Sequence, residues 1–559
     1  MINKRYFETA RFTGVFLTVM LAATPLAQPA AAAQPNRPPA GSSISKQHVA
    51  ASLTQRAAEG TPATEPAARL LDSNRPTHAA ATIRQHAYLK ASNAEAIDNF
   101  FLVAVDGDTM VVGAGGEDGS ITSTLGSPNN DAIDAGAAYV YTRSMAGTWT
   151  QAAYLKASNA EASDSFGWSV ALSGDTIVVG APNEAGSITS TLGSPNNAAV
   201  GAGAAYVFTR SAAGTWTQAA YLKASNAEAG DFFGSVAISG DTIVVGAATE
   251  AGSITSTVGS PNNPNNEAVG AGAAYVFTRS VAGTWTQAAY LKASNAEAGD
   301  QFGVSVAVDD DTIIVGALYE SGSVTSTLGS ENNAEFGAGA AYVYTRSVAG
   351  TWTQAAYLKA SNAEANDLFG YPNVAISGDT IIVGALFESG SVTSTVGSPN
   401  NAASGAGAAY VYERSMAGTW TQAAYLKASN ANAGDQFGSS VALSSDTIVV
   451  GAPYEDGSIT STIGSPNNDA VDAGAAYVYE RSLAGTWTQA AYLKASNAET
   501  DDWFGESVAL SGSTIAVGAR TEDGSITSTM GSPNNLTSAA GAVYEFKLLY
   551  SLYVPQVGP

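Results

Sequence analysis

An all-β, seven-bladed β-propeller is the fold this 559-residue sequence predicts, and three observations carry that expectation. First, the string YLKAS recurs seven times, beginning at Tyr88, Tyr154, Tyr221, Tyr290, Tyr357, Tyr425 and Tyr492, with spacings of 66 to 69 residues. Self-similarity at a fixed period outranks any local feature. Second, each unit holds four short runs rich in β-branched and aromatic residues, separated by Gly, Asn, Asp and Ser, with no sustained helical period. Four short antiparallel strands per repeat make a propeller blade. Third, the ends are complementary. The seventh unit stops after its third strand, and an orphan fourth strand, ATIRQHAYLKAS (81–92), precedes the first unit. Seven whole blades result only if the chain closes into a ring, which also removes sheet edges.

The N-terminus reads as an export signal over 1–33. Lys4, Arg5 and Arg11 flank the apolar run 14–23, and Ala31 and Ala33 satisfy a small-residue cleavage rule. The run is shorter than the ~20 apolar residues of a membrane-spanning helix, and no second such run follows. A secreted or cell-surface protein without a transmembrane segment after the signal is expected. Residues 34–80, rich in Ala, Pro, Ser and Thr, read as a disordered linker. The propeller spans 81–549, and 550–559 is a C-terminal tail.

Composition narrows the chemistry. There is no cysteine, and the three histidines (His48, His78, His86) all precede residue 87, so a Ser–His or Cys–His pair cannot be built from the repeats. The 48 acids against 24 bases repel phosphate backbones, which disfavours nucleic acid as a partner.

In the unit beginning at Asp164 the strands are FGWSVAL (166–172), TIVVGA (176–181), GAAYVFTR (203–210) and TWTQAAYLKA (215–224). In strand one, Phe166, Trp168, Val170 and Leu172 alternate with Gly167, Ser169 and Ala171. Successive side chains point to opposite faces, so neighbouring innermost strands can pack bulky against small. A bulge is expected at Pro372, where the fifth unit reads FGYPNVAI. The tryptophans that open strand four, Trp285 among them, are expected to seal adjacent blades. Much of the length beyond ordinary propeller repeats lies between strands two and three, where SITSTLGSPNN and its variants recur.

These motifs resemble the FG-GAP repeat of the integrin α-subunit propeller and of many bacterial secreted proteins. FG stands at Phe166–Gly167, Phe233–Gly234, Phe302–Gly303, Phe369–Gly370, Phe437–Gly438 and Phe504–Gly505, with Phe100–Phe101 in the first unit. GAP stands at Gly180–Pro182 and Gly451–Pro453. The resemblance covers 81–549 and implies a seven-bladed propeller with a role in extracellular recognition or adhesion. It also implies calcium loops between strands one and two, but here that connection is SGDT (173–176) or a near variant, too short to wrap a cation.

Because strands alternate in direction, the four-to-one and two-to-three connections share one face, the long-loop face. It collects 31 acids against eight bases. Seven glutamates follow strand two (Glu117, Glu184, Glu250, Glu320, Glu388, Glu455, Glu522), seven aspartates precede strand one, and six glutamates belong to SNAE. The opposite, short-turn face pairs aspartates with arginines and is nearly balanced. Three uses of the acidic face are open: a solubilising surface, a calcium site from Glu161, Asp164 and Glu184, or a docking surface centred on Glu184, Glu250, Glu320, Glu388 and Glu455, where replacing Glu184, Glu250 and Glu320 by Gln should weaken a basic partner and leave folding intact. The expected function is that of a monomeric, non-enzymatic binder of protein or glycan. A carboxylate-based lyase or glycoside hydrolase is the alternative, disfavoured because no unit is expected to carry a unique polar cluster.

Overall fold

The computed structural model describes residues 82–549 apart from 121–128, 187–196, 253–265, 324–331, 392–399, 459–467 and 525–536. The export signal, the linker, the tail and the tips of the long connections lie outside the described residues. Every regular element among the described residues is a strand. They form seven four-stranded antiparallel sheets, six of them running in chain order. Blade two, for example, holds Ser169–Ser173, Thr176–Ala181, Ala204–Arg210 and Trp216–Leu222. In the seventh sheet the chain's first strand, Thr82–Leu89, pairs with its last, Ala542–Leu549, from Thr82↔Leu549 to Leu89↔Val543. The ring is closed by its N-terminal strand.

Strand one is innermost, and its alternation is used as expected. At each of six blade interfaces an alanine of one blade faces the bulky pair of the next: Ala104 meets Val170 and Leu172, Ala171 meets Val236 and Ile238, and Ala509 meets Val103 and Val105 where the ring closes. The FG and GA glycines meet across the same interfaces. A Cβ on Gly180 would lie 1.9 Å from the carbonyl oxygen of Gly234 in the next blade. Gly167, at φ +97°, would drive a Cβ to 2.2 Å from the Ala137 carbonyl oxygen. The phenylalanine of FG is fully buried; Phe166 packs edge-on to Tyr206 at 5.3 Å and Phe208 at 6.0 Å.

The channel's short-turn end is stitched by hydrogen bonds. The N–H of Gly174 donates to Asp106 at 2.8 Å, that of Gly240 to Ser173 at 3.2 Å, and that of Gly378 to Asp309 at 2.7 Å, each link crossing to the preceding blade. Asp106, Ser173 and Asp309, with their counterparts in the other blades, line a cavity of about 250 Å³. The hairpin between strands one and two pairs Ser173 with Thr176, so only two residues turn there. The irregularity expected at Pro372 is present: the Gly370 N–H donates to the Gly384 carbonyl at 2.9 Å and the Gly384 N–H to the Asn373 carbonyl at 3.4 Å, so Tyr371 and Pro372 stand out between two partners of one residue. Pro372 has no N–H to give strand two, and regular pairing resumes at Val374.

The tryptophans do seal blades. Trp285 is buried in the cluster joining blades two and three. Its ring lies under Arg279 at 5.3 Å, and Arg279 also donates to Asp241 of its own blade and to Thr176 of the preceding one.

Candidate functional site

The acids of the long-loop face divide into three sets. The glutamates after strand two are not on the surface: all seven are at most 3% exposed. Glu184 shows why. Its Oε2 accepts from the Lys223 ammonium at 3.0 Å, the Tyr221 hydroxyl at 2.9 Å and the Gly186 N–H at 2.9 Å, while Oε1 accepts from Asn159 of the preceding blade at 3.0 Å. Lys223 also donates to the Gly203 carbonyl. Burial pulls the lysine's pKa down, and Glu184 pulls it back. The same ion pair recurs at Glu117–Lys156, Glu250–Lys292, Glu320–Lys359, Glu388–Lys427 and Glu455–Lys494, at 3.0 to 3.2 Å. In the closing blade Glu522 takes its partners from the N-terminal strand: the Tyr88 hydroxyl donates to its carboxylate at 2.9 Å and Lys90 to its carbonyl at 3.2 Å.

Glu184, Glu250, Glu320, Glu388 and Glu455 therefore leave the docking surface to which sequence assigned them. They hold the blades together, and a buried carboxylate already bonded to an ammonium has nothing to offer a partner.

The aspartates before strand one are also buried. Each accepts a local N–H, as Asp164 does from Glu161 at 2.9 Å. Burial raises their pKa values, to about 7 for Asp164 and about 8 for Asp98. Glu161 itself is partly exposed and accepts from the side chain of Asn197 at the base of the long connection. Glu161, Asp164 and Glu184 thus turn to three different partners. Among the described residues no group of three or more His, Asp or Glu side chains is arranged to hold a metal ion. The calcium expectation does not fit these residues, since Lys223 stands where Glu184 would meet a cation.

The blades differ from one another at the inner rim of the long-loop face. Three places vary there: the residue before FG, the residues just after it, and the two after GA. They supply Trp168, Phe232, Tyr319, Tyr371, Phe387, Tyr454 and Trp503. Tyr454 and Trp503 meet edge-on at 5.4 Å across a blade boundary. Trp168 and Phe387 are 45% and 40% exposed, the rings most open to a partner. Blade seven adds Glu506 and Arg520, paired at 3.2 Å. Arg520 lies over the rings of Phe101 at 5.6 Å and Trp503 at 5.7 Å, and donates to Asn99 at 3.0 Å. Burial raises the pKa of Glu506, with Arg520 opposing.

A second off-repeat cluster marks the closing seam. Glu545 stands where the other blades carry valine, fully buried, 3.1 Å from His86 and 3.6 Å from Arg143. The expectation that no unit carries a unique polar cluster is thus overturned twice. Aligning the units at FG exposes both clusters: Glu506 falls where others have Trp168, Val304 or Tyr371, and Arg520 where others have Pro182 or Leu318. The buried ion pairs also had a signal, because one Glu and one YLKAS Lys recur in step in all seven units.

The comparison with protein families matches the FG-GAP repeat at residues 83–141, 149–208, 216–277, 285–344, 352–412, 420–479 and 487–546. No curated protein matches the chain. Each matched segment begins in the outermost strand of one blade and ends in the third strand of the next, so the match follows the ring through its closure, and the chain belongs to the FG-GAP repeat family.

Proposed function

We propose that this propeller is the recognition module of an exported, non-enzymatic protein, and that it takes a protein or glycan partner on the inner rim of its long-loop face. One observation carries the reading: the units are near-copies, yet positions that vary among them place seven aromatic rings and one ion pair at this rim. Large rigid rings give contact area at low entropic cost and dominate binding hot spots. Loops and rims on a rigid scaffold are where function usually resides. Ile133, Val200, Val269 and Phe336, on the two-to-three connections of the same face, extend its exposed apolar area. Export rests on the N-terminal signal, and adhesion at a cell surface or matrix is the use such a module would serve.

The test is capture of cell-surface and matrix material by the chain and by a Trp168→Ala/Phe387→Ala variant. Both side chains are substantially exposed, so the variant should fold normally and lose capture. Undiminished capture by the variant would remove the rim from the reading.

A further inference from the structure

The opposite face carries a second, independent feature. Strands three and four are joined on the outer rim of the short-turn face by the hairpin S-x-A-G-T. In blade one it is closed by backbone bonds from Ser144 to Thr148 at 2.9 Å and from Gly147 to Ser144 at 2.8 Å, and by the Thr148 N–H on the Ser144 hydroxyl at 3.2 Å. Ser and Gly complete the turn, which leaves the x side chain no structural task. Around the ring that side chain is Met145, Ala212, Val281, Val348, Met416 and Leu483. Its neighbours are constant. The x position has drifted among the copies, yet it has stayed apolar in all six. The five large ones project at 81% to 113% of full exposure. Isolated apolar residues on a surface need no explanation; a varying position that remains apolar at equivalent places around a ring does.

We propose that this rim docks on a lipid surface. The six hairpins are equivalent in the propeller, so their tips share one rim. They are separate points, which a deformable, flat partner meets together and a folded protein would have to match in spacing. The charge beneath them is internally neutralised: Arg210, Arg279, Arg346 and Arg414 clasp Asp175, Asp241, Asp311 and Asp379 at 2.5 to 2.7 Å. Asp106 and Asp309, on the same face, accept turn N–H groups instead, and the larger share of the acids lies on the far face. The seventh place in the ring is taken by the chain's own flanks, Thr82 and Leu549.

The absence of cysteine allows a clean test on the full chain. Met145→Cys, Val281→Cys, Leu483→Cys and, on the other face, Ile133→Cys are each labelled with a polarity-sensitive fluorophore and mixed with phosphatidylcholine vesicles. The three rim labels should shift to the blue and the Ile133→Cys label should not. Replacing Met145, Val281, Val348, Met416 and Leu483 together by Ser should lower vesicle binding by roughly tenfold, since binding follows buried apolar area, with unchanged thermal unfolding. Silent rim labels, an equal response at Ile133→Cys, or undiminished binding by the serine variant would overturn the proposal; the last would assign lipid binding to the N-terminal segment. A rim shift that needs no vesicles and grows with protein concentration would overturn it in favour of a second copy of the chain.

Discussion

At the residue scale, the repeated carboxylates follow from desolvation. A glutamate and a lysine buried side by side are tolerated only when hydrogen bonds satisfy the remaining lone pairs and protons, and Tyr221, Gly186, Asn159 and Gly203 supply them around Glu184–Lys223. Glu184→Gln should therefore cost roughly 3–5 kcal/mol by leaving Lys223 unpaired in the interior, measured by denaturant unfolding. The double change Glu184→Gln/Lys223→Met should recover much of that loss. The buried aspartates make a pH prediction. Their folded pKa values are raised to about 7 or 8, chiefly by burial, against about 3.9 in an unfolded chain. Between about pH 4 and pH 8 the folded state holds protons that the unfolded chain has released, so stability falls as pH rises through that window. Melting temperature should rise on going from pH 8 to pH 5.5, and Asp231→Asn should reduce the slope while keeping an acceptor for the Glu228 N–H. Trp285→Ala removes a buried ring and should cost about 3–5 kcal/mol, read from the same unfolding curves.

At the scale of the element, each blade is held by what it lends its neighbour. Strand one packs small against bulky, the turn N–H of one blade binds the Ser or Asp of the preceding one, and in five blades the arginine at the end of strand three bridges its own tryptophan and aspartate to the preceding blade's threonine. Glycines at FG and GA let the innermost backbones touch. Gly180→Ala places a methyl against the Gly234 carbonyl and should lower the melting temperature, whereas Gly214→Ala, with open space around its Cβ but φ +84°, should act only through local strain. A larger loss from Gly214→Ala than from Gly180→Ala would contradict the packing account.

At the scale of the whole molecule, closure is the organising fact. The N-terminal strand completes the seventh sheet's hydrogen-bond ladder and delivers Tyr88 and Lys90 to Glu522. Its off-repeat His86 meets the off-repeat Glu545, whereas the other six blades have alanine and valine in those places. Removal of 1–80 should leave folding unchanged. Removal of 1–92 should strip the outer strand from blade seven, leave Glu522 without Tyr88 and Lys90, and expose an edge that invites swapping. Size-exclusion profiles and melting curves of the two truncations make the comparison, and identical behaviour would refute the role of the closing strand.

The number of blades, the closing strand and the pairing of small with bulky residues in the innermost strands were legible in the amino-acid order. Those features are periodic: they repeat with the unit or, at the chain ends, complete it. The register of the buried ion pairs was also written there, as a Glu and a Lys that recur together. Which acids face water became plain only in the folded ring. Glu184 and Glu161 are equally charged letters on connections of the same face, and burial separates them because Glu184 sits over the Tyr221–Lys223 end of strand four while Glu161 lies beyond it. The inner rim was invisible for a related reason. Its residues come from three scattered positions in each of seven units, and they converge only because closing the ring brings the starts of all seven innermost strands to one mouth.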